Sequence, residues 1–426
     1  MLPSILFALS FFGPLSLAVV PPRRDPLHIP VIRRNHARRG EEADTAHYSA
    51  VLAGLRHKYN YDSPGASRRA QTTDIGITNQ GADVSYFAQV NVGTPAQSFN
   101  LVLDTGSSDL WFATNVCASC PSGTPEFDPS KSTSLQTGTD RISLRYGSGS
   151  AAGIIARDTI TMGPFTVDQQ IFVAVTDITS GLIQGALAGI MGLAFQGIAS
   201  SSALPFWQAL VNDNLFTNPE FSFFITRFVD DASAQDEEPG GVLTLGGTNT
   251  TLYQGDIDFR SFTSPIRGGS FWLQTVTGVT VNGKSVNLPS GDLAVAAIDT
   301  GTTLIGGPTA AVNAVWAAVP GSQALDGNLA GFFAFPCNTD LAISMSFGGP
   351  SWPISLADMN LGTVGNGRCL GAIFDITQGT NVTPGQGNPA WIIGDTFLKN
   401  VYSVFRASPP AVGFAQLSNA AGGSSG

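Results

Sequence analysis

The chain carries one short passage twice, and this repetition limits its fold more than any other feature. Residues 99–111 run as an apolar segment into Asp104-Thr105-Gly106 and then Ser107 and Ser108. Residues 293–305 run the same way into Asp299-Thr300-Gly301, followed by Thr302 and Thr303. Each passage has a later echo of two apolar residues and a glycine, Ile190-Met191-Gly192 and Ile392-Ile393-Gly394. The echo glycines lie 88 and 95 residues beyond the respective aspartates. One Asp-Thr-Gly arises by chance in a chain rich in Gly and Thr. Two, each trailed by the same partner at a similar distance, imply equivalent halves related by a pseudo-twofold axis.

The chemistry of such a turn explains its residues. A carboxylate held at a fixed point beyond a strand needs a tight turn, and Gly106 and Gly301 admit a facing loop. Ser107 and Thr302 stand where their hydroxyls can bond the outer carboxylate oxygens, while Thr105 and Thr300 can brace the two loops from below. With the loops face to face, Asp104 and Asp299 come within a few ångströms. Two like charges that close do not both ionise readily, so the pair shares one proton and is acid and base at once. The alternative, two ordinary aspartates in turns, leaves the duplication unexplained.

Composition excludes most other chemistries. The 426 residues suffice for two lobes, each with its own core, plus removable N-terminal material. Apolar residues make up 43% and charged residues only 12%, with Gly, Ser and Thr abundant, which favours an all-β protein. His28, His36, His47 and His57 are the only histidines. A mature chain starting after them could not run a Ser-His-Asp or Cys-His mechanism or build a His-ligated zinc site. Carboxylates remain as the acid–base groups, and no metal or organic cofactor is implied.

Residues 5–18 form an apolar run of secretory length, too short for a membrane span. It is read as a signal peptide, 1–18, cut after Ala18, against the alternative of a buried N-terminal strand. No later stretch suits a bilayer and the tail is Gly/Ser-rich, so no membrane anchor is expected. Residues 19–69 hold 10 Lys/Arg and 5 Asp/Glu, against 11 and 26 in the rest of the chain. A basic leader on an acidic body reads as an inhibitory propeptide held by charge, rather than a disordered solvating arm. Arg68-Arg69 is the expected processing site. So acidic a body speaks against nucleic-acid binding. Residues 230–238 are expected to form an acidic, solvated loop.

Together the two Asp-Thr-Gly elements, Trp111, Tyr146-Gly147-Ser148-Gly149, the segment 188–192 and the segment 391–398 resemble the pepsin-like aspartic proteases, of the fungal secreted kind. The likeness runs from about residue 86 to 414. It implies an all-β, bilobal fold with pseudo-twofold related lobes, 70–248 and 249–426, and a central cleft. It implies a secreted, monomeric endopeptidase made as a zymogen. Asp104 and Asp299 would activate one water between them, with no acyl-enzyme.

By the same resemblance Tyr146 is the tyrosine of a flap that closes over substrate and hydrogen-bonds towards Trp111, rather than a plain edge-strand aromatic. Gly147 and Ser148 would offer backbone groups to an extended polypeptide, and Ile190 would line the substrate site. Ser148 stands where some fungal relatives carry an acid, which implies apolar or aromatic residues at the cut and poor cleavage after Lys. Lys58 and Tyr59 match a prosegment pair that lies across the active site. The family pattern pairs Cys117 with Cys120 and Cys337 with Cys369, although four cysteines allow three pairings and Cys117-Ala118-Ser119-Cys120 also has the spacing of a redox dithiol. Asn249 and Asn381 open glycosylation sequons. Arg406 departs from the family, which usually has Asp there, and puts the local turn in doubt. Two rival readings share the scaffold, a silent binding or inhibitor protein and a vacuolar protease.

Overall fold

The computed structural model describes residues 27–34, 86–229, 237–261, 270–378 and 388–421. These form a mostly β, bilobal protein in which the repeated passages generate matching substructures. Strand Gln97–Asp104 lies parallel to strand Leu187–Gly192, with Asp104 opposite Gly192. Strand Leu110–Ala113 returns antiparallel on the other side, pairing Trp111 with Ile190. In the second half Val295–Ile298 lies parallel to Trp391–Ile393, and Ile305–Gly307 returns antiparallel on its far side. Strands Leu187–Gly192, Val295–Ile298 and Trp391–Ile393 are buried along their whole length. Continuous apolar runs suit strands covered on both faces.

Each Asp-Thr-Gly loop therefore crosses over the end of its echo strand. The glycine of the echo is required at that crossing. A Cβ on Gly192 would lie within 3.0 Å of the Ser108 backbone, and one on Gly394 would collide with the carbonyls of Thr302 and Leu304.

A 13-stranded sheet joins the first half to the C-terminal strands. Glu220–Ile225 pairs with Glu237–Leu245 on one side and Tyr402–Ala407 on the other. Strand Leu27–Arg34, from the basic leader, sits between Glu237–Leu245 and Tyr86–Val92. Here the structure corrects one expectation. Glu237 and Glu238 do not belong to a solvated loop but begin a strand, because the leader pairs with them, Arg34 opposite Glu237 and Arg33 opposite Glu238. Residues 230–236 lie outside the described residues.

The doubt over Arg406 is also removed. Tyr402–Ala407 and Pro410–Leu417 form an unbroken hairpin. Arg406 falls opposite Glu220, its Nε donates to Oε2 at 3.0 Å, and its guanidinium lies 3.4 Å from the centroid of the Phe259 ring. An ion pair and a cation–π contact thus hold the charge on the strand face.

Trp272 joins the halves beneath the loops. Its Nε1 donates to the Leu193 carbonyl at 2.8 Å and its own carbonyl accepts from Ile298 at 2.9 Å. The indole is wholly buried and contacts the rings of Phe195, Trp207, Phe221 and Phe405, with centroids 4.4–5.5 Å away. Disulfides join Cys117 to Cys120 and Cys337 to Cys369, the pairing that the resemblance implied. Among the described residues no helix is long and apolar enough to cross a membrane.

Candidate active site

The two loops meet through a crossed set of hydrogen bonds. Thr105 N–H donates to the Thr300 hydroxyl oxygen at 3.1 Å, and Thr300 N–H donates to that of Thr105 at 2.9 Å. Each hydroxyl in turn donates across to the other strand, Thr105 Oγ1 to the Ile298 carbonyl at 2.9 Å and Thr300 Oγ1 to the Leu103 carbonyl at 2.8 Å. All four groups are buried, and each is satisfied only by the opposite loop, so separating the loops would strand four polar groups.

Above this bracing the carboxylates are held alike. Asp104 Oδ1 accepts from Gly106 N–H at 2.9 Å and Oδ2 from the Ser107 hydroxyl at 2.5 Å. Asp299 Oδ1 accepts from Gly301 N–H at 2.9 Å and Oδ2 from the Thr302 hydroxyl at 2.6 Å. Asp104 is 3% exposed and Asp299 is fully buried. The glycines explain how close the two come. A Cβ on Gly106 would overlap the Asp299 carboxyl, and one on Gly301 would overlap that of Asp104. Each carboxylate therefore rests on the opposing turn, where only a hydrogen can fit.

Tyr146 ends strand Gln136–Tyr146, and the next strand, Gly149–Met162, starts after the two residues Gly147 and Ser148. The tyrosine packs with Trp111 and Ile190 in one apolar cluster. Its ring lies 6.5 Å from that of Trp111 with planes tilted by 48°. Neither the phenol oxygen nor the indole Nε1 has a partner at ordinary hydrogen-bond geometry among the described residues, yet Trp111 and Ser107 stand near enough to the phenol to favour its ionised form. Burial, then the charges of Asp109 and Asp104, push the Tyr146 phenol well above its ordinary pKa. It stays a neutral O–H donor at every pH the fold would meet.

A cavity of about 170 Å³ opens between this hairpin and the Asp104 loop. Ser107 and Asp109 line it on one side, Leu144, Arg145 and Tyr146 on another, with Phe271 reaching in from the second half. Sequence reasoning missed Arg145, Asp109 and Phe271. Arg145 adjoins the Tyr146 motif and could have been noticed there. Phe271 carries no local signal, because only the fold brings it to the cleft.

Asn249 lies at a turn where its Oδ1 accepts from the Thr251 N–H at 3.0 Å and hydroxyl at 2.6 Å. The signal peptide, Lys58, Tyr59, Arg68-Arg69 and Asn381 lie outside the described residues.

The comparisons with known proteins agree in kind. A family described as eukaryotic aspartyl protease matches residues 85–417. Major aspartyl peptidase 1 of Cryptococcus neoformans var. grubii is 40% identical over 370 residues, covering 84% of this chain and 73% of its own. An aspartic protease of Phaffia rhodozyma is 34% identical over 358 residues, covering 82% and 80%. Pepsin A of Bos taurus is 28% identical over 369 residues, covering 85% and 92%.

Proposed function

Since the chain belongs to the eukaryotic aspartyl protease family and is an aspartic-type endopeptidase acting on polypeptides, we propose that it is a secreted zymogen whose mature form works in acid through Asp104 and Asp299. The observation that carries this reading is the symmetric holding of two carboxylates, each resting on the other loop's glycine. One of the pair is protonated and the other is not, since both charges cannot persist at that separation. A water between them loses a proton to the carboxylate as its oxygen bonds to the scissile carbonyl carbon. The protonated partner gives its proton to the carbonyl oxygen. Collapse of the resulting diol breaks the C–N bond, with a proton passing to the leaving nitrogen. The protonated Tyr146 hydroxyl is a donor poised on the covering hairpin.

Residues 1–18 are read as the signal peptide, 19–69 as the propeptide, and 70–248 and 249–426 as the lobes, with Asn249 and Asn381 as glycan acceptors and the mature enzyme as a monomer. The leader strand's place inside the sheet supports a propeptide bound by backbone pairing as well as charge. In acid, protonation of body carboxylates weakens the hold of the leader's cations, including Lys58 over the dyad, and frees the cleft.

The test is acid activation of the purified precursor, followed by cleavage of a denatured protein from about pH 2 to pH 7, with and without pepstatin. Acid-optimal activity abolished by pepstatin is expected. A folded, processed chain without activity at any pH would favour a silent binding protein. With Ser148 on the hairpin, cleavage should fall between apolar or aromatic residues, and efficient cutting after Lys in a peptide library would overturn that preference.

Gly301→Ala should reduce kcat/KM at least about a hundredfold, since the new methyl displaces the Asp104 carboxyl and small misplacements of reacting groups cost that much. Overpacking should also lower stability by about 1–3 kcal/mol, read from thermal melting.

A further inference from the structure

The cavity beside the Asp104 loop holds a cation that no acid neutralises among the described residues. Arg145 is exposed and, among the described residues, makes no ion pair or side-chain hydrogen bond. It falls opposite Ser150, one residue before Tyr146, on the hairpin that covers the dyad. The acid nearest to hand is already committed. Asp109 Oδ2 accepts from Ser200 N–H at 2.8 Å, and Oδ1 accepts from Ser201 N–H at 3.0 Å and from the Ser201 hydroxyl. The carboxyl of Asp104 is engaged by Ser107 and Gly106, and Tyr146 remains neutral. Leu144 and Phe271 provide apolar walls.

We propose that Arg145 makes this cavity a subsite for an acidic side chain of the bound polypeptide. The methylenes of a glutamate lie along Leu144 and Phe271, and its carboxylate pairs with the guanidinium, whose planar fork suits that geometry. A lysine at the same substrate position meets like charge. The inference rests on the reading of Asp104 and Asp299 as the reacting pair, which sets this cavity beside the scissile bond. An extended chain advances about 3.3 Å per residue, so the residue that fills it lies within a few positions of the cut.

The proposal also fixes a pH signature. A substrate glutamate titrates near pH 4.3, whereas arginine keeps its charge throughout. The preference is therefore present above that value and vanishes below it. Asp109 and Tyr146 are the other titratable groups lining the cavity, with Asp104 on the adjoining loop, and none carries a positive charge that could replace Arg145.

The experiment uses the acid-activated enzyme and a peptide set in which one leucine at a time, within three positions of the cut, is replaced by Glu or Gln. The quantity read is the ratio of kcat/KM for each Glu peptide to its Gln partner, at about pH 5 and pH 3. At one position the ratio should be about three- to tenfold at pH 5, as for a partly desolvated charge pair, and about one at pH 3. Arg145→Leu should bring it to about one at both, and Arg145→Lys should restore part of it at pH 5. Equal cleavage of Glu and Gln peptides at every position, with the leucine peptide turned over normally, would overturn this inference alone. So would a ratio that survives Arg145→Leu. No hydrolysis of the leucine peptide at either pH would sink the protease reading, and this subsite with it.

Discussion

Replacing Asp299 with Asn should lower kcat/KM on a peptide or denatured protein by at least about a thousandfold, while the protein keeps its fold. Asn has the shape of Asp, and its amide oxygen can still accept from Gly301 N–H, while the Thr302 hydroxyl is free to turn its hydrogen away and accept from the new NH2 group. The threonine bracing beneath is untouched, because it runs between Thr105, Thr300 and two backbone carbonyls. What disappears is the second carboxyl of a pair in which one member must hold a proton while the other accepts one. Asp104→Asn should have the same effect, since the two sites are held by equivalent bonds. The comparison needs kcat/KM and a melting curve for each variant. Substantial activity in either one, with a normal melt, would refute a paired mechanism.

The largest effect on stability is expected at a cluster that lies away from those loops. Asp358 is fully buried, and Lys399 Nζ, 4% exposed, sits 2.7 Å from its Oδ1. Arg227 forks onto the same carboxylate, Nε to Oδ2 at 2.9 Å and Nη2 to Oδ2 at 2.6 Å, and Asn400 Nδ2 donates to Oδ2 at 2.9 Å. Asp358→Asn leaves two cations facing an amide, one of them buried, and loss of one partner from a buried ion pair costs about 3–5 kcal/mol. The melting temperature should fall by on the order of 10 °C. Arg141→Ala, which breaks the exposed pair with Asp177, should leave the melting curve nearly unchanged.

The pH dependence of that cluster has a definite sign. Burial alone would raise the Asp358 pKa, but the charges of Lys399 and Arg227 outweigh it and hold the carboxyl below its ordinary value of 3.8. A depressed pKa stabilises the fold fully above the unfolded value and loses that contribution as pH falls through the folded one. The gap in stability between wild type and Asp358→Asn should hold from neutrality down to about pH 4 and shrink only below it. A gap that closed at pH 5 or 6 would refute the ion-pair account. On the proposed acid activity, this tie stays charged over much of the working range.

The facing of the two carboxylate loops was legible because their pattern is local and repeated. Asp104-Thr105-Gly106 and Asp299-Thr300-Gly301 each place acid, brace and clearance in three successive residues, and a second copy shows which features matter. The echo glycines were visible as a pattern, although their purpose, clearance under a crossing loop, appears only in the folded strands. The Asp358 cluster was not legible. Arg227, Asp358 and Lys399 are scattered along the chain, and any one of them reads as an ordinary surface charge. Tyr146 stood out by its motif, whereas the tilt of its ring against Trp111 is settled by packing rather than by sequence. Glu237 and Glu238 were misassigned for a related reason. Acidity marks solvent preference, whereas strand formation there is decided by a partner about two hundred residues earlier.

That partner has a consequence for the lifetime of the molecule. Strand Leu27–Arg34 is flanked on both sides, by Tyr86–Val92 and by Glu237–Leu245, so it is interior to the sheet rather than laid upon its edge. On the proposed maturation this strand is excised, and the sheet that closed around it keeps the imprint of a piece it no longer owns. Should the mature chain unfold, it would have to rebuild two facing edges without the template that first spanned them, and unpaired edges invite pairing with other chains. Its endurance in acid would then be governed by how slowly it opens, not by where its folding equilibrium lies.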